Sequence, residues 1–269
     1  MRVPLLVALL VSAAATPGVA QTYSSPSPVP RTTSVPALRA VAVRREIEER
    51  FTLGLVAEAR GDWAAAAPEF ERIVALRPGE PQGSTAHYDL AIAYANLRRN
   101  DDAARELRAA IVLDPGFLAA MANLVAVDIA RGDLREARVI ADRYVMLAPD
   151  SARALYSRGI VALRSGDAAT AREDFGKLLH ANPSYAVAHY DLALAEERLG
   201  RYDAAERELH SALSLAPSYA RARFALGVVL LREGDHAAAR NAFAQATLDA
   251  AGDPALQNIA AAMRDSIRI

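Results

Sequence analysis

The chain has 269 residues, 52% of them hydrophobic, with 31 basic against 32 acidic side chains and a formal net charge of −1. That apolar share suits a folded chain rather than a disordered one, and the balanced charge supplies none of the basic surface that attracts nucleic acid. No cysteine is present, which excludes disulfide frameworks, thiol catalysis, iron–sulfur ligation and a lipid-bearing cysteine.

Residues 1–20 read as a cleaved signal peptide. Met1-Arg2 gives a positive end, and Leu5 to Ala15 is an apolar run too short to span a bilayer comfortably. Pro17-Gly18 breaks the helix, and Val19-Ala20 leaves small residues before Gln21. The sequence therefore predicts secretion across an inner membrane into a bacterial periplasm. It predicts neither a lipid anchor nor membrane insertion after cleavage. Residues 21–36 are rich in Pro, Ser and Thr; they bury too little apolar surface to offset ordering and are predicted to form a flexible linker.

Beyond the linker the chain keeps a beat. Pro115, Pro149, Pro183 and Pro217 stand 34 residues apart, as do Ala103, Ala137, Ala171, Ala205 and Ala239, and Gly132, Gly166, Gly200 and Gly234. A fixed period of that length with helical content between the marks signifies stacked helix–turn–helix units. The predicted array covers 37–253, with repeats at 47–80, 84–117, 118–151, 152–185, 186–219 and 220–253, each of two helices of about a dozen residues. Pro81-Gln82-Gly83 interrupts the count and is read as an enlarged loop. Residues 254–269 are predicted to form a final capping helix.

The punctuation has a physical reading. In 186–219 the first helix is predicted to run from Ala186 to Leu199. Gly200 then supplies the left-handed turn, and the second helix runs from Tyr202 to Leu215, before Pro217. Ser218 is predicted to cap the next helix. Elsewhere the turn is Gly-Asp, at 61–62, 132–133, 166–167 and 234–235, where glycine closes one helix and aspartate opens the next. In the second helix Ala205, Leu209, Ala212 and Leu213 fall on one apolar stripe. Helices this short are marginal alone and need stacking, which the small periodic alanines permit by letting backbones approach.

Chemistry has few footholds. The five histidines, His87, His180, His189, His210 and His236, are scattered. His87 and His189 hold equivalent places three repeats apart, at least about 25 Å at one helix contact per repeat, and cannot share a metal. No HExxH, GxSxG, P-loop or GxGxxG occurs. Paired acids such as Asp101-Asp102 suit helix starts without any chemistry. The reading is of no catalytic residue, no metal and no cofactor.

The periodic marks resemble the tetratricopeptide repeat. The last repeat carries Leu226-Gly227, Ala239, Phe243 and Ala246; the fifth carries Leu192-Ala193, Tyr202, Ala205, Leu209, Ala212 and Pro217. The second carries Leu90-Ala91, Tyr94, Ala103, Ala110 and Pro115; the first carries Leu53-Gly54, Trp63, Ala66, Phe70 and Pro78. Arg158, Asp128, Glu196, His87 and His189 depart from the pattern, and local weakening of the packing is expected at each. The resemblance implies an all-α fold, a right-handed α-solenoid of stacked repeats with a C-terminal capping helix, and a concave groove lined by first helices that binds protein or peptide partners. It places Phe51, Tyr88, Tyr156, Tyr190 and Phe224 in that groove, with Ala122 breaking the row. These rings serve either a partner or packing. Arg153, Arg164, Arg198, Arg221 and Arg232 border the groove, either as a grip for an acidic segment or as a solvated face paired with Glu197 and Asp191. The Lys/Asn clamp by which some members hold a terminal carboxylate is missing.

Together these features predict a non-enzymatic periplasmic adaptor, a monomer by preference. It would hold a protein or peptide partner within a cell-envelope assembly such as pilus or secretion, outer-membrane or cell-wall machinery. The alternatives are a regulatory subunit of an envelope enzyme and a self-assembling structural repeat protein.

Overall fold

The computed structural model describes residues 34–79 and 81–267. The signal peptide read at 1–20 and most of the linker read at 21–36 lie outside them. The described residues form α-helices and no strand. They divide into two compact units whose boundary falls after Ile140.

In the first unit, α1 (Val35–Ala59), α2 (Trp63–Ala75), α3 (Gln82–Asn96), α4 (Asn100–Leu113) and α5 (Leu118–Arg131) pack each on the next. The unit boundary lies within α6 (Leu134–Leu147). In the second unit the same succession joins α7 (Ala152–Ser165), α8 (Ala168–Ala181), α9 (Ala186–Arg198), α10 (Tyr202–Leu215), α11 (Ala220–Glu233), α12 (His236–Asp249) and α13 (Pro254–Ser266). No helix among the described residues is long and apolar enough to cross a membrane.

The turns follow the predicted chemistry. Gly61, Gly132, Gly166, Gly200 and Gly234 all have φ between 71° and 87°, the left-handed region. Asp62, Asp167 and Asp235 accept backbone N–H bonds from Ala65, Thr170 and Ala238 at 3.1, 3.1 and 2.9 Å. The turn after α3 has no glycine; Arg98 takes φ 63° there. The periodic alanines Ala103, Ala137, Ala171, Ala205 and Ala239 are fully buried, and the α9 and α10 ends agree with prediction to within a residue.

Three local expectations fail. The linker was read as running to Pro36 with helix from Ala37, but α1 begins at Val35 and runs unbroken into the first repeat, 25 residues in all rather than a dozen. Proline is tolerated in a first helical turn, and no further proline follows before the turn at Gly61, so the helix extends. Pro81-Gln82-Gly83 is not simply a loop: α3 already starts at Gln82. Ser218 does not cap α11, whose N-cap is Tyr219 without a side-chain bond.

A size exchange locks helices within a pair. A methyl group on Gly54, Gly159 or Gly227 would meet the ring of Phe70, Phe175 or Phe243 at 2.7, 2.6 or 2.8 Å. Glycine is required there to admit a benzyl ring, and each of the three rings is fully buried. The partners in each case are 16 residues apart. At the same spacing stand Ala91 with Leu107 and Ala193 with Leu209, all buried: a larger floor beneath a smaller side chain.

Candidate functional site

The residues of the sequence-predicted aromatic row are distributed over the two units. Phe51 and Tyr88 belong to the first unit; Tyr156, Tyr190, Phe224 and all five arginines belong to the second. Within each unit the rings are anchored. Phe51 lies edge-on to Phe70 at 6.3 Å between centroids. Tyr88 tilts over Phe117 at 4.9 Å. Tyr156 lies 5.8 Å from Phe175 and stacks on Tyr185 at 5.7 Å. Tyr190 meets Tyr219 at 5.2 Å, and Phe224 meets Phe243 at 5.3 Å. Such pairs stabilise beyond their buried area, by about 0.5–1.5 kcal/mol each. All five remain half-buried, so each ring packs with one part and faces solvent with another. Ala122, which breaks the row, is buried.

Two of the tyrosines reach a side chain 35 residues further on. Asn123 Nδ2 donates to the Tyr88 hydroxyl at 3.0 Å. The Tyr156 hydroxyl donates to Asp191 Oδ2 at 2.9 Å. The receiving positions form their own period of 34: Asp89, Asn123, Ser157, Asp191 and Ala225. Sequence reading did not single this row out, although its period makes it visible. Asp191 is 7% exposed, and burial raises its pKa to about 7 against the opposing hydrogen bond from Tyr156. Burial, with the charge of Glu58 adding to it, raises Asp89 to about 7 as well. The Tyr156, Tyr190 and Tyr219 hydroxyls are all pushed upward, first by burial and next by the Asp191 charge.

At Ala225 the pattern lapses. Nothing in this place answers the Tyr190 hydroxyl, and a cavity of about 170 Å³ opens among Tyr190, Leu194, Glu197, Phe224, Ala225 and Val228. A wider cleft of about 1000 Å³ lies in the first unit, where the α1 extension faces the turn at 76–79.

The arginines are differently employed. Arg198 donates to the Leu163 carbonyl oxygen. Arg221 lies 3.9 Å from Asp253. Arg153 is half-buried, whereas Arg164 and Arg232 are exposed. Asp191 accepts from Tyr156, while the Arg198 bond goes to a backbone carbonyl and Arg221 approaches Asp253.

The departures from the repeat pattern are compensated rather than weak. Arg158 makes a two-pronged bond to the buried Asp174, at 2.8 and 2.6 Å. Asp128, wholly buried, receives Arg108 at 3.0 Å and Arg131 at 2.9 Å. His87 Nδ1 lies 2.7 Å from Glu106 and His189 Nδ1 lies 2.6 Å from Glu208. These, like Arg50 with Glu69 at 2.8 Å, bridge residues 19 apart in paired helices. The bond from His87 is the first cause holding Glu106 below the usual carboxylate range. Glu196 is the exception: its Oε2 is buried without a hydrogen-bond partner, 3.7 Å from Arg201. Among the described residues no group of three or more His, Asp or Glu side chains is placed to hold a metal ion.

Successive helix pairs, left-handed glycine turns and small-on-large locks define a helical repeat protein. Two family models, both described as tetratricopeptide repeat, match this chain, one at 51–116, 158–209 and 190–254 and the other at 98–158. The chain belongs to the tetratricopeptide repeat family. A search of curated proteins gives no match. Solved structures share the fold. A tetratricopeptide repeat protein from Parabacteroides merdae aligns with TM-score 0.66 and 17% identity over 82% of this chain and 98% of its own. MamA from Desulfovibrio magneticus RS-1 aligns with TM-score 0.60 and 19% identity over 64% of this chain and 97% of its own. A chain of the APC/C hetero-tetramer Cut9–Hcn1 aligns with TM-score 0.64 and 19% identity over 86% of this chain but 45% of its own.

Proposed function

We propose that this protein is an exported, six-repeat adaptor of the bacterial periplasm that holds a protein or peptide partner on the face formed by α7, α9 and α11. Its setting is a cell-envelope assembly, and it has no catalytic role of its own. Family membership supports the partner-holding part, since members mediate protein–protein contacts. The Cut9–Hcn1 structure, itself an assembly, is in keeping with it. The leader-like residues 1–20 support export.

The observation that carries the reading is the makeup of that face. Half-buried Tyr156, Tyr190 and Phe224 are fixed by rings behind them, beside exposed Arg164 and Arg232 and the opening under Tyr190. Rings held in place present contact area at low entropic cost.

Affinity capture from envelope extract, with the partner identified by mass spectrometry, tests the assignment. The expected result is a partner retained by the natural chain and lost by Arg164→Glu with Arg232→Glu, whose circular dichroism is unchanged. Undiminished capture by that variant removes the face from consideration. Recovery of the protein in the cytoplasmic fraction of intact cells overturns the periplasmic assignment.

A further inference from the structure

The cavity at Tyr190 is a lapse in an otherwise kept rule. Where Asn123 answers Tyr88 and Asp191 answers Tyr156, Ala225 leaves both space and an unanswered hydroxyl. The volume of about 170 Å³ compares with the roughly 150 Å³ that admits a benzene molecule, so one side chain fits. Its solvent side is half-buried Tyr190, Leu194, Glu197, Phe224 and Val228. Glu197 is the one charged residue of this lining, and its carboxylate has no ion-pair partner among the described residues. Of the neighbouring cations, Arg198 donates to the Leu163 carbonyl and Arg221 lies 3.9 Å from Asp253.

An apolar cavity with two aromatic walls and a single carboxylate in its lining matches one kind of side chain. It is a long aliphatic stem ending in a cation, whose methylenes cover apolar surface while the head meets the carboxylate and the ring faces. We infer that the cavity between α9 and α11 receives a basic side chain, lysine by preference, from an extended segment of the partner, with Glu197 pairing the ammonium. This rests on the reading of the α7, α9 and α11 face as the partner site, and it adds what that partner must carry. It also reverses, at this one place, the acidic partner that the arginine row suggested.

The test uses the whole chain and three small probes of equal length: n-butylammonium, n-butanol and butyrate. Methyl resonances of Leu194, Ala225 and Val228 are followed by NMR. Saturable shifts are expected with n-butylammonium, with n-butanol weaker by about three- to fivefold, the worth of one partly exposed ion pair, and butyrate weakest. Glu197→Gln should erase the difference between n-butylammonium and n-butanol. Ala225→Asn, which restores the residue type found at position 123, should fill the space and abolish the shifts from every probe. Circular dichroism confirms that both variants fold. Equal binding of n-butanol and n-butylammonium, tighter binding of butyrate, or shifts that survive Ala225→Asn would each overturn the inference. The two readings fail separately. Loss of envelope capture with n-butylammonium still seated removes the adaptor and leaves the cavity. Capture that persists while n-butylammonium causes no shift removes the cavity and leaves the adaptor.

Discussion

Gly159 and Phe175 offer the sharpest test of how the helix pairs are held. In Gly159→Ala the new methyl meets the Phe175 ring at 2.6 Å, so the ring must retreat by about 0.8 Å to reach the 3.4 Å of ordinary contact. The ring is fully buried, with Tyr156 packed against it at 5.8 Å, so it has little room to move. Overpacking of this kind costs about 1–3 kcal/mol. Alanine recovers up to about 1 kcal/mol through its better helix propensity. The net loss is about 1–2 kcal/mol, or roughly 2–8 °C in Tm for a chain of this size. Phe175→Leu alone leaves a void and costs a similar amount. The double variant Gly159→Ala with Phe175→Leu recreates the arrangement of Ala193 with Leu209, and should lose at least about 1 kcal/mol less than the sum of the singles. Urea unfolding of the four proteins, followed by far-UV circular dichroism, measures the coupling. Strictly additive losses, or a Gly159→Ala protein as stable as the natural chain, would refute the small-on-large argument.

Three further outcomes are expected. Asp191 has a folded-state pKa raised by burial to about 7, so folding favours its protonated form; that contribution is whole below about pH 4 and is lost as pH rises through about 7. Asp191→Asn, which keeps an acceptor for Tyr156, should therefore raise Tm little near pH 4 and by the most above pH 7, by up to a few kcal/mol in stability; a pH-independent gain would contradict this. Asp174→Ala leaves the Arg158 guanidinium only Asp142, 3.8 Å away, and should cost about 3 kcal/mol, whereas Arg158→Leu with Asp174→Leu should cost much less, as denaturant titrations would show. Arg98→Gly, which relieves a left-handed residue at φ 63°, should stabilise by about 0.5–1 kcal/mol in thermal unfolding.

Sequence and structure meet where a residue's role is set by its nearest neighbours along the chain. Glycine turns and aspartate caps are decided within four or five residues, so the α9 and α10 ends were legible. In α1 the helix was legible from Ala37 but not its start at Val35, because proline punctuates only from mid-helix and sits easily in a first turn. Arg158, His87 and His189 were misjudged for another reason. Each was weighed against what its own position usually holds, while its stability comes from Asp174, Glu106 and Glu208 across the pair. Those offsets of 16 and 19 are constant, and a reader who listed them would have found the bridges. The opening beneath Tyr190 was not legible, since it depends on one alanine in a period otherwise filled by Asp89, Asn123, Ser157 and Asp191.

The presence of glycine under phenylalanine in some pairs and alanine under leucine in others bears on how such a chain can be rearranged. Exchanging single helices between neighbours would set alanine beneath a benzyl ring or leave a gap above glycine. Moving a hairpin as a block keeps each floor with the side chain cut for it. The indivisible module of shuffling, in a laboratory or in a lineage, is thus the two-helix hairpin and not the individual helix.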